Sequence, residues 1–488
     1  MTTAPIPSTT GRRRPPSWAT ALVLALALAL VAAACGQKPG THVEATAGTG
    51  ALPGLAPGDA SAPEAVTDTT VAPGGEAQGA GSPAAPGGTA TTVPAAAGGS
   101  GQAAAPSGAP AQGGVIGNDR TGVSDDKLVL AVHAPVTGAA PLPATSFEKA
   151  RDLYWRWQTQ EKGQKILGRS QVEVLFKDDR YQPNTAVQAC RELAAGAFLL
   201  VGGGGTDQIQ ACSRFANQAG VPYFSAGVTE NGVRGLPWYF AISMSYRQQG
   251  SLLAQFLAKN HGGKKVAAVI TNTPNFDDAA AGWEAAIGGA GLNYYKTLRH
   301  PKGDTSWYNT FASELKAEGV EVVYVNSAPV DYIRFAQQSR QQGFRPQFVG
   351  VGITMGLNAV LASGCPDVDQ GVFFSPFPGL DWARANVGDF FAAAQRFGVE
   401  ADDLGLALWG IAAYQHEMFR RYEQRFGTNL TRETFRAFVE EQKGVQSGIY
   451  PPSDYSAQDH FGANQVHVLK ADCGSREHAT LATFAAGF

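Results

Sequence analysis

From Lys127 onward, short apolar runs alternate with amphipathic stretches, and after Tyr246 the alternation starts again. "KLVLAVHA" is an apolar strand, and behind it Phe147, Ala150, Leu153, Tyr154 and Trp157 recur at helical spacing. "QVEVLF" alternates, with Val172, Val174 and Phe176 on one face. A helix follows from about Pro183, its proline in the first turn, where no backbone N–H is missed. Then come "FLLVG", a helix through Phe215, and "VPYFSAG". In the second run "QGSLLAQFLAKN" is helical and "KKVAAVITN" is a strand. A helix over about 277–289, the strand "LNYYKTL", a helix from about Thr305 and the strand "VEVVYVNS" continue it. Another helix leads to "QFVGVG", and "GVFFSPF" is a later strand. Strands that are apolar throughout bury both faces, which a parallel sheet covered by helices on both sides allows. Two such runs predict an α/β protein of two lobes. The C-terminal part is helix-rich, with a long helix near "LGLALWGIAAYQHEMFRRYEQRF", and closes with a strand, "QVHVLK".

The first third of the chain has a different chemistry. Arg12, Arg13 and Arg14 precede the apolar stretch "ATALVLALALALVAAAC", which ends in small residues and Cys35. This pattern fits an export signal. The other reading is an uncleaved membrane anchor, but the apolar core is short for a span. Cys35 followed by Gly36 resembles the acceptor of a bacterial lipoprotein signal, although Ala32 stands where that signal prefers a branched residue. From Gly36 to about Gly117 the chain is mostly Ala, Gly, Pro, Thr and Ser, without an aromatic residue. Such a segment buries too little apolar surface to offset chain entropy and is expected to be a disordered tether. About 80 residues of this kind have a root-mean-square span of roughly 50 Å. The formal net charge of −3 offers nothing to nucleic acid.

With Cys35 assigned to lipid, Cys190, Cys212, Cys365 and Cys473 remain. Four cysteines outside the cytoplasm allow three pairings. Cys190 with Cys212 and Cys365 with Cys473 is the favoured set, because the first two fall on successive helices of one βαβ unit. Buried free thiols are the alternative. No Cys-x-x-Cys or His-x-x-x-His spacing supports a metal site, and no cofactor motif is present.

The strand-to-helix junctions carry the candidate chemistry. "VGGGGTDQ" places Gly205 and Thr206 where a buried strand turns into a helix. A helix start offers unpaired N–H groups and partial positive charge, and glycine lets a ligand reach the backbone. A carboxylate, an amide or another oxygen acceptor suits it. The sequence has neither the Gly-Lys-Ser/Thr of a phosphate loop nor a full dinucleotide fingerprint. A purely steric need for glycine is the competing reading. "SAGVTENG", with Gly227 and Thr229, and "HAPVTGAA", with Thr137 and Gly138, are two further junctions of the same kind.

Residues 125 to 488 resemble the type I periplasmic-binding-protein family, specifically the branched-chain amino acid receptors of ABC importers. The likeness rests on "LAVHAPVTG", "FKDDRYQPNTAVQACREL", "VGGGGTDQIQACSRFANQAGVPYFSAGVT" and "GVEVVYVNSAPVDYIRFAQQSRQQGFRPQFVG", in this order and spacing. It implies a two-lobed clamshell, each lobe a parallel sheet flanked by helices. Lobe 1 would combine 125–245 with 376–452, and lobe 2 would combine 246–375 with 453–488, after a signal over 1–34 and a tether over 35–120. It also implies that Thr206, Thr229 and the backbone of Gly227 hold the ligand, with Phe276 as a cleft aromatic of lobe 2.

Two positions depart from the family. Gly352 stands where amino-acid receptors place the acid that pairs the ligand ammonium, and Ala328 stands where an aromatic is usual. Tyr181 also replaces a cysteine of a familiar small disulfide. A buried ammonium without an opposite charge costs several kcal/mol. Either Asp277 or Asp278 substitutes, or the ligand lacks an ammonium; the second is preferred. Trp238, Tyr239, Phe276, Trp307 and Phe377 are candidates to line an apolar cleft. The resemblance implies a non-enzymatic receptor, lipid-anchored on the outer face of the bacterial cytoplasmic membrane and partnered by an ABC permease. A sensor ectodomain that reports a solute without transport is the alternative. Hydrolase readings lack support: no Gly-x-Ser-x-Gly elbow occurs, "HEMFR" at His416 lacks a second histidine, and "ADDLG" at Asp402 and Asp403 reads as a helix start.

Overall fold

A computed structural model describes residues 118–352 and 355–488. The export signal, Cys35 and the tether up to residue 117 lie outside the described residues. The chain runs β1 (Lys127–Ala134), α1 (Ala144–Ala150), α2 (Leu153–Arg156) with a π-helical turn behind it, β2 (Gln171–Asp178), α3 (Pro183–Ala194), β3 (Leu199–Gly202), α4 (Thr206–Gln218), β4 (Tyr223–Ser225) and β5 (Tyr239–Ala241). It continues α5 (Tyr246–His261), β6 (Lys265–Thr271), α6 (Pro274–Ile287), β7 (Asn293–His300), α7 (Trp307–Ala317), β8 (Val322–Asn326), α8 (Pro329–Gln341), β9 (Gln347–Val351), α9 (Asn358–Gly364) and β10 (Val372–Ser375). Then come α10 (Leu380–Asn386), α11 (Gly388–Phe397), α12 (Asp403–Phe426), α13 (Arg432–Val439), β11 (Val466–Asp472) and β12 (Glu477–Ala485).

The strands form two sheets, as the doubled alternation predicts. The first has the order β2-β1-β3-β4-β5 and the second β12-β11-β10-β9-β8-β6-β7. Every pair in the first sheet is parallel, with Leu130 opposite both Val174 and Leu199. The second is parallel from β7 to β10 and antiparallel from β10 to β12. Central strands are buried on both faces, whereas β2, at an edge, alternates between exposed and half-buried. "QVHVLK" is therefore not the last strand. β12 follows it as a half-exposed edge strand, and register shifts against β11 near Val468 break the two-residue period that would reveal it.

The chain crosses from the first sheet to α5 at Ser245. Ser245 Oγ accepts from Gln248 N at 3.2 Å and Gln248 Oε1 accepts from Ser245 N at 2.8 Å, a reciprocal cap that fixes where the helix starts. Large side chains fill the first lobe between its sheet and α12, among them Trp155, Phe198, Trp409, Phe419 and Phe435. Trp307, Tyr332, Phe335 and Phe373 fill one face of the second. Both favoured disulfides are formed. Cys190–Cys212 joins α3 to α4 with Cα atoms 6.0 Å apart, and Cys365–Cys473 joins the end of α9 to the turn after β11 at 5.6 Å. Asp119 belongs to this fold, paired with Arg432 at 2.9 Å. No helix among the described residues is long and apolar enough to cross a membrane.

Candidate functional site

In a parallel sheet the crevice for a ligand opens at the strand C-termini where neighbouring strands lead their connections to opposite sides. The order 2-1-3 puts that point between β1 and β3, and the order 8-6-7 puts its counterpart at β6 and β8. One cavity joins the two points. Pro135 after β1 and Gly202–Gly205 after β3 line it from one side; Phe276 after β6 and Ser327, Ala328 and Pro329 after β8 line it from the other. Its volume is about 70 Å³.

Its polar end is built on the start of α4. Gly205 has φ +77, and a Cβ there would lie 2.2 Å from Gln208 Oε1. A Cβ on Gly202 would lie 2.2 Å from the Tyr223 hydroxyl. The glycine run thus has a steric cause beneath the loop, and it also bares backbone towards the cavity. Thr206 is buried at the helix start, and the Tyr246 phenol lies beside it. Burial, together with the nearby Asp278 carboxyl, pushes that phenol up, so it stays a neutral donor and acceptor. Gln208 is fully buried, and neither of its amide atoms has a partner among the described residues. Ser327 contributes a hydroxyl from lobe 2 whose single proton faces two acceptors, His300 Nε2 at 2.9 Å and Asp331 Oδ2 at 3.1 Å. Burial lowers the His300 pKa, and its Nδ1 faces the Pro301 carbonyl at 3.1 Å, which makes Nδ1 the donor and Nε2 the acceptor.

The opposite end is apolar. Leu142, Phe147, Ile209 and Val228 contribute from lobe 1, and α12 adds Leu404, Ala407, Leu408 and Ile411. The Tyr246 and Phe276 rings stack 5.8 Å apart across the boundary between the lobes. No Asp, Glu, Lys, Arg or His lines the cavity among the described residues. The charges around it are spent on one another. Asp207 is held by both Lys302 and Asn275 of lobe 2, and the Lys302 ammonium also sits 4.5 Å from the centre of the Tyr181 ring. Asp278 accepts from Thr229 Oγ1 at 3.1 Å and from Glu230 N at 2.5 Å, and burial pushes its carboxyl up. Asp277 is exposed and pairs with Arg299 at 2.8 Å. Neither acid stands in for the one absent at Gly352.

Of the residues singled out in the sequence, Gly205, Thr206 and Phe276 come together on the lining. Thr137 lies off it, exposed and donating to Asp178. Gly227 packs against Ala241 and Phe461, and Thr229 turns to Asp278, while their neighbours Ala226 and Val228 line the cavity. Gly352 stands one layer back. Its φ is +111, and a Cβ there would lie 2.7 Å from the Tyr246 ring. Tyr246 therefore fills the place into which an acid at Gly352 would project. Four expected cleft aromatics belong elsewhere. Tyr239 and Phe377 are core, Trp307 stacks on His300 at 4.1 Å, and half-buried Trp238 lies under the Arg436 guanidinium at 5.6 Å. Tyr181, Tyr246, Ser327 and the α12 face are lining residues that the motifs did not reveal. The α12 residues carried a signal, since 404, 407, 408 and 411 repeat at helical spacing in a segment apolar all round.

Residues 127–477 match the family model described as periplasmic binding protein. The chain belongs to that family. Within it, the likeness is to type I members of the branched-chain amino acid class. A Leu/Ile/Val-binding protein homologue of Brucella abortus is 27% identical over 195 residues, 37% of this chain and 48% of that protein. The chain thus spans about half the length of the curated relatives it matches. Two solved structures share the fold. A fatty acid ABC transporter substrate-binding protein from Thermomonospora curvata superposes with a TM-score of 0.65 at 17% identity, over 76% of this chain and 95% of that one. A solute-binding protein from Rhodopseudomonas palustris, in complex with 3,4-dihydroxybenzoic acid, does so with 0.60 at 19% identity, over 74% and 98%.

Proposed function

We propose that this family member is the solute-binding receptor of an ABC importer and captures a small organic acid with an apolar body between its lobes. The carrying observation is the cavity lining: hydroxyls and a helix start at one end, hydrocarbon at the other, and no acid to pair an ammonium. A carboxylate at the start of α4 would accept from backbone N–H groups and from the hydroxyls of Thr206 and Tyr246. Thr229, Gly227, Thr137 and Gly352 act from behind, shaping the loops that present these groups. One helix start contributes about 0.3–1 kcal/mol, or about 2 when partly buried. A micromolar ligand needs about 8 kcal/mol. Burial of the apolar body by both lobes supplies the larger part, at about 25 cal/mol per Å². Neighbouring structures are named with varied solutes, a fatty acid for the Thermomonospora curvata protein, 3,4-dihydroxybenzoic acid for the Rhodopseudomonas palustris one and valine for a Thermus thermophilus one, so the choice of an acid rests on the lining of this cavity. In this reading Cys35 carries lipid, the tether holds the receptor outside the cytoplasmic membrane, and a permease receives the solute from the closed form. No catalytic step is assigned to it.

The test is a thermal-shift panel of leucine, valine, benzoate, hexanoate and their amides. At 100 times Kd a ligand adds about 2.7 kcal/mol of stability. The acids should raise Tm by several degrees and the amino acids by less than one. Leucine or valine matching the acids would overturn the reading.

A further inference from the structure

A second void continues the cavity into lobe 1. It is smaller, about 20 Å³ by the same measure, and lies between β1, β2, β3 and α12. Leu408 and Ile411 line both voids and so form the partition between them. Behind the partition the walls are Leu130, Val132, Val174, Val201 and Ala412, with Trp155 to one side. From Leu404 at the cleft to Gln415 at the far end, α12 rises about 16 Å. Gln415 and Arg151 close that end, and the buried Gln415 Nε2 has no partner among the described residues.

Protein interiors are packed about as densely as organic crystals and leave few voids, and these two share the Leu408–Ile411 wall along one face of α12. A route across that wall starts at the polar end of the site, at Thr206, and runs between apolar side chains to Gln415 and Arg151. Resting on the receptor reading above, we propose that the solute is a straight-chain aliphatic monocarboxylate. Its head lies at the start of α4, and its tail passes the Leu408–Ile411 gate into the slot beneath α12. Two branched aliphatic side chains are a suitable gate, because a rotamer change moves each aside without exposing a polar group. An aromatic ring, rigid and broader than a polymethylene chain, is expected to stay in the outer cavity. Gln415 and Arg151 set the length limit, since a methyl end gains nothing by packing on their polar groups.

Titration calorimetry of the full chain with the even-numbered acids from butyrate to dodecanoate tests this. Affinity should rise about fourfold per methylene while the tail enters the slot, then level off or fall. Ala412→Phe, which fills the inner void only, should cost decanoate at least tenfold and leave butyrate within twofold. Val174→Ala, which widens the void from the sheet side, should strengthen decanoate and leave butyrate unchanged; it also guards against Ala412→Phe failing to fold. Affinity that does not change along the series, or decanoate unaffected by both variants, would overturn the buried tail and leave the receptor reading standing. If no carboxylate of any length bound, both would fall together.

Discussion

At the scale of single residues, the site turns on where an aromatic ring replaced a charge. Gly352 and Tyr246 share one space, because a side chain on Gly352 would run into the ring, and φ +111 suits only glycine. An acid cannot be added there without removing the tyrosine. Gly352→Ala should therefore push the Tyr246 ring towards the cavity. Strained positive φ and overpacking each cost about 1–3 kcal/mol. We expect Gly352→Ala to lower Tm by several degrees, and the double variant with Tyr246→Ala to lose less than the sum of the two single losses. Thermal denaturation of the single and double variants measures this coupling, and strictly additive losses would show that the two residues do not meet.

At the scale of elements, α12 links the lobes through its first turn. Asp402 caps it, accepting from Gly405 N at 2.7 Å, and Asp403 accepts from Asn358 N of lobe 2 at 2.6 Å. Burial, aided by the Asp402 carboxylate and opposed by the N–H groups of Asn358 and Leu404, pushes the Asp403 carboxyl up to about 7. A carboxyl raised in the folded state binds its proton more tightly there than in the unfolded chain. Its contribution is fully present below the unfolded value near 4 and is lost as pH rises through about 7. The span corresponds to about 4 kcal/mol at most. Wild-type Tm should fall between pH 4 and 7, and Asp403→Asn should flatten that fall; parallel curves would remove Asp403 as its cause. The helix start at "ADDLG" was legible because capping is local chemistry, and so were the parallel strands, whose apolar runs are continuous. β12 was not, because a bulged edge strand has no clean period. Phe377 and Trp307 read as cleft residues because aromatic type does not tell core from cleft. Only the sheet order, which is non-local, brings Ser327 and the α12 face to the same cavity as Thr206.

At the scale of the whole molecule, the receptor reading requires the lobes to close over the solute, and Asp207 stands at the seam. It belongs to the first turn of α4, beside the proposed carboxylate site, and is held from lobe 2 by Lys302 and Asn275. Asp207 thus brings the Lys302 charge to the rim while neutralising it, and Lys302 in turn covers the Tyr181 ring. A contact made only in the closed form shifts the open–closed equilibrium by its own free energy and tightens solute binding by the same factor. An exposed ion pair is worth about 0.2–1 kcal/mol, and a hydrogen bond to a charged group about 1.5–3. Their sum, about 1.7–4 kcal/mol, sets the scale for Asp207→Ala: affinity for the bound acid at least about twentyfold weaker, mainly through faster release. Because part of the seam is ionic, salt should weaken the wild type more than the variant. Calorimetry at low and high ionic strength, with small-angle scattering of both proteins with and without ligand, separates closure from direct contact. A variant within twofold of wild type at both salt levels would show that Asp207 does not hold the lobes together. A variant that loses affinity but closes to the same dimensions at saturating ligand would show that the seam sets how often the lobes close and leaves the closed shape unchanged.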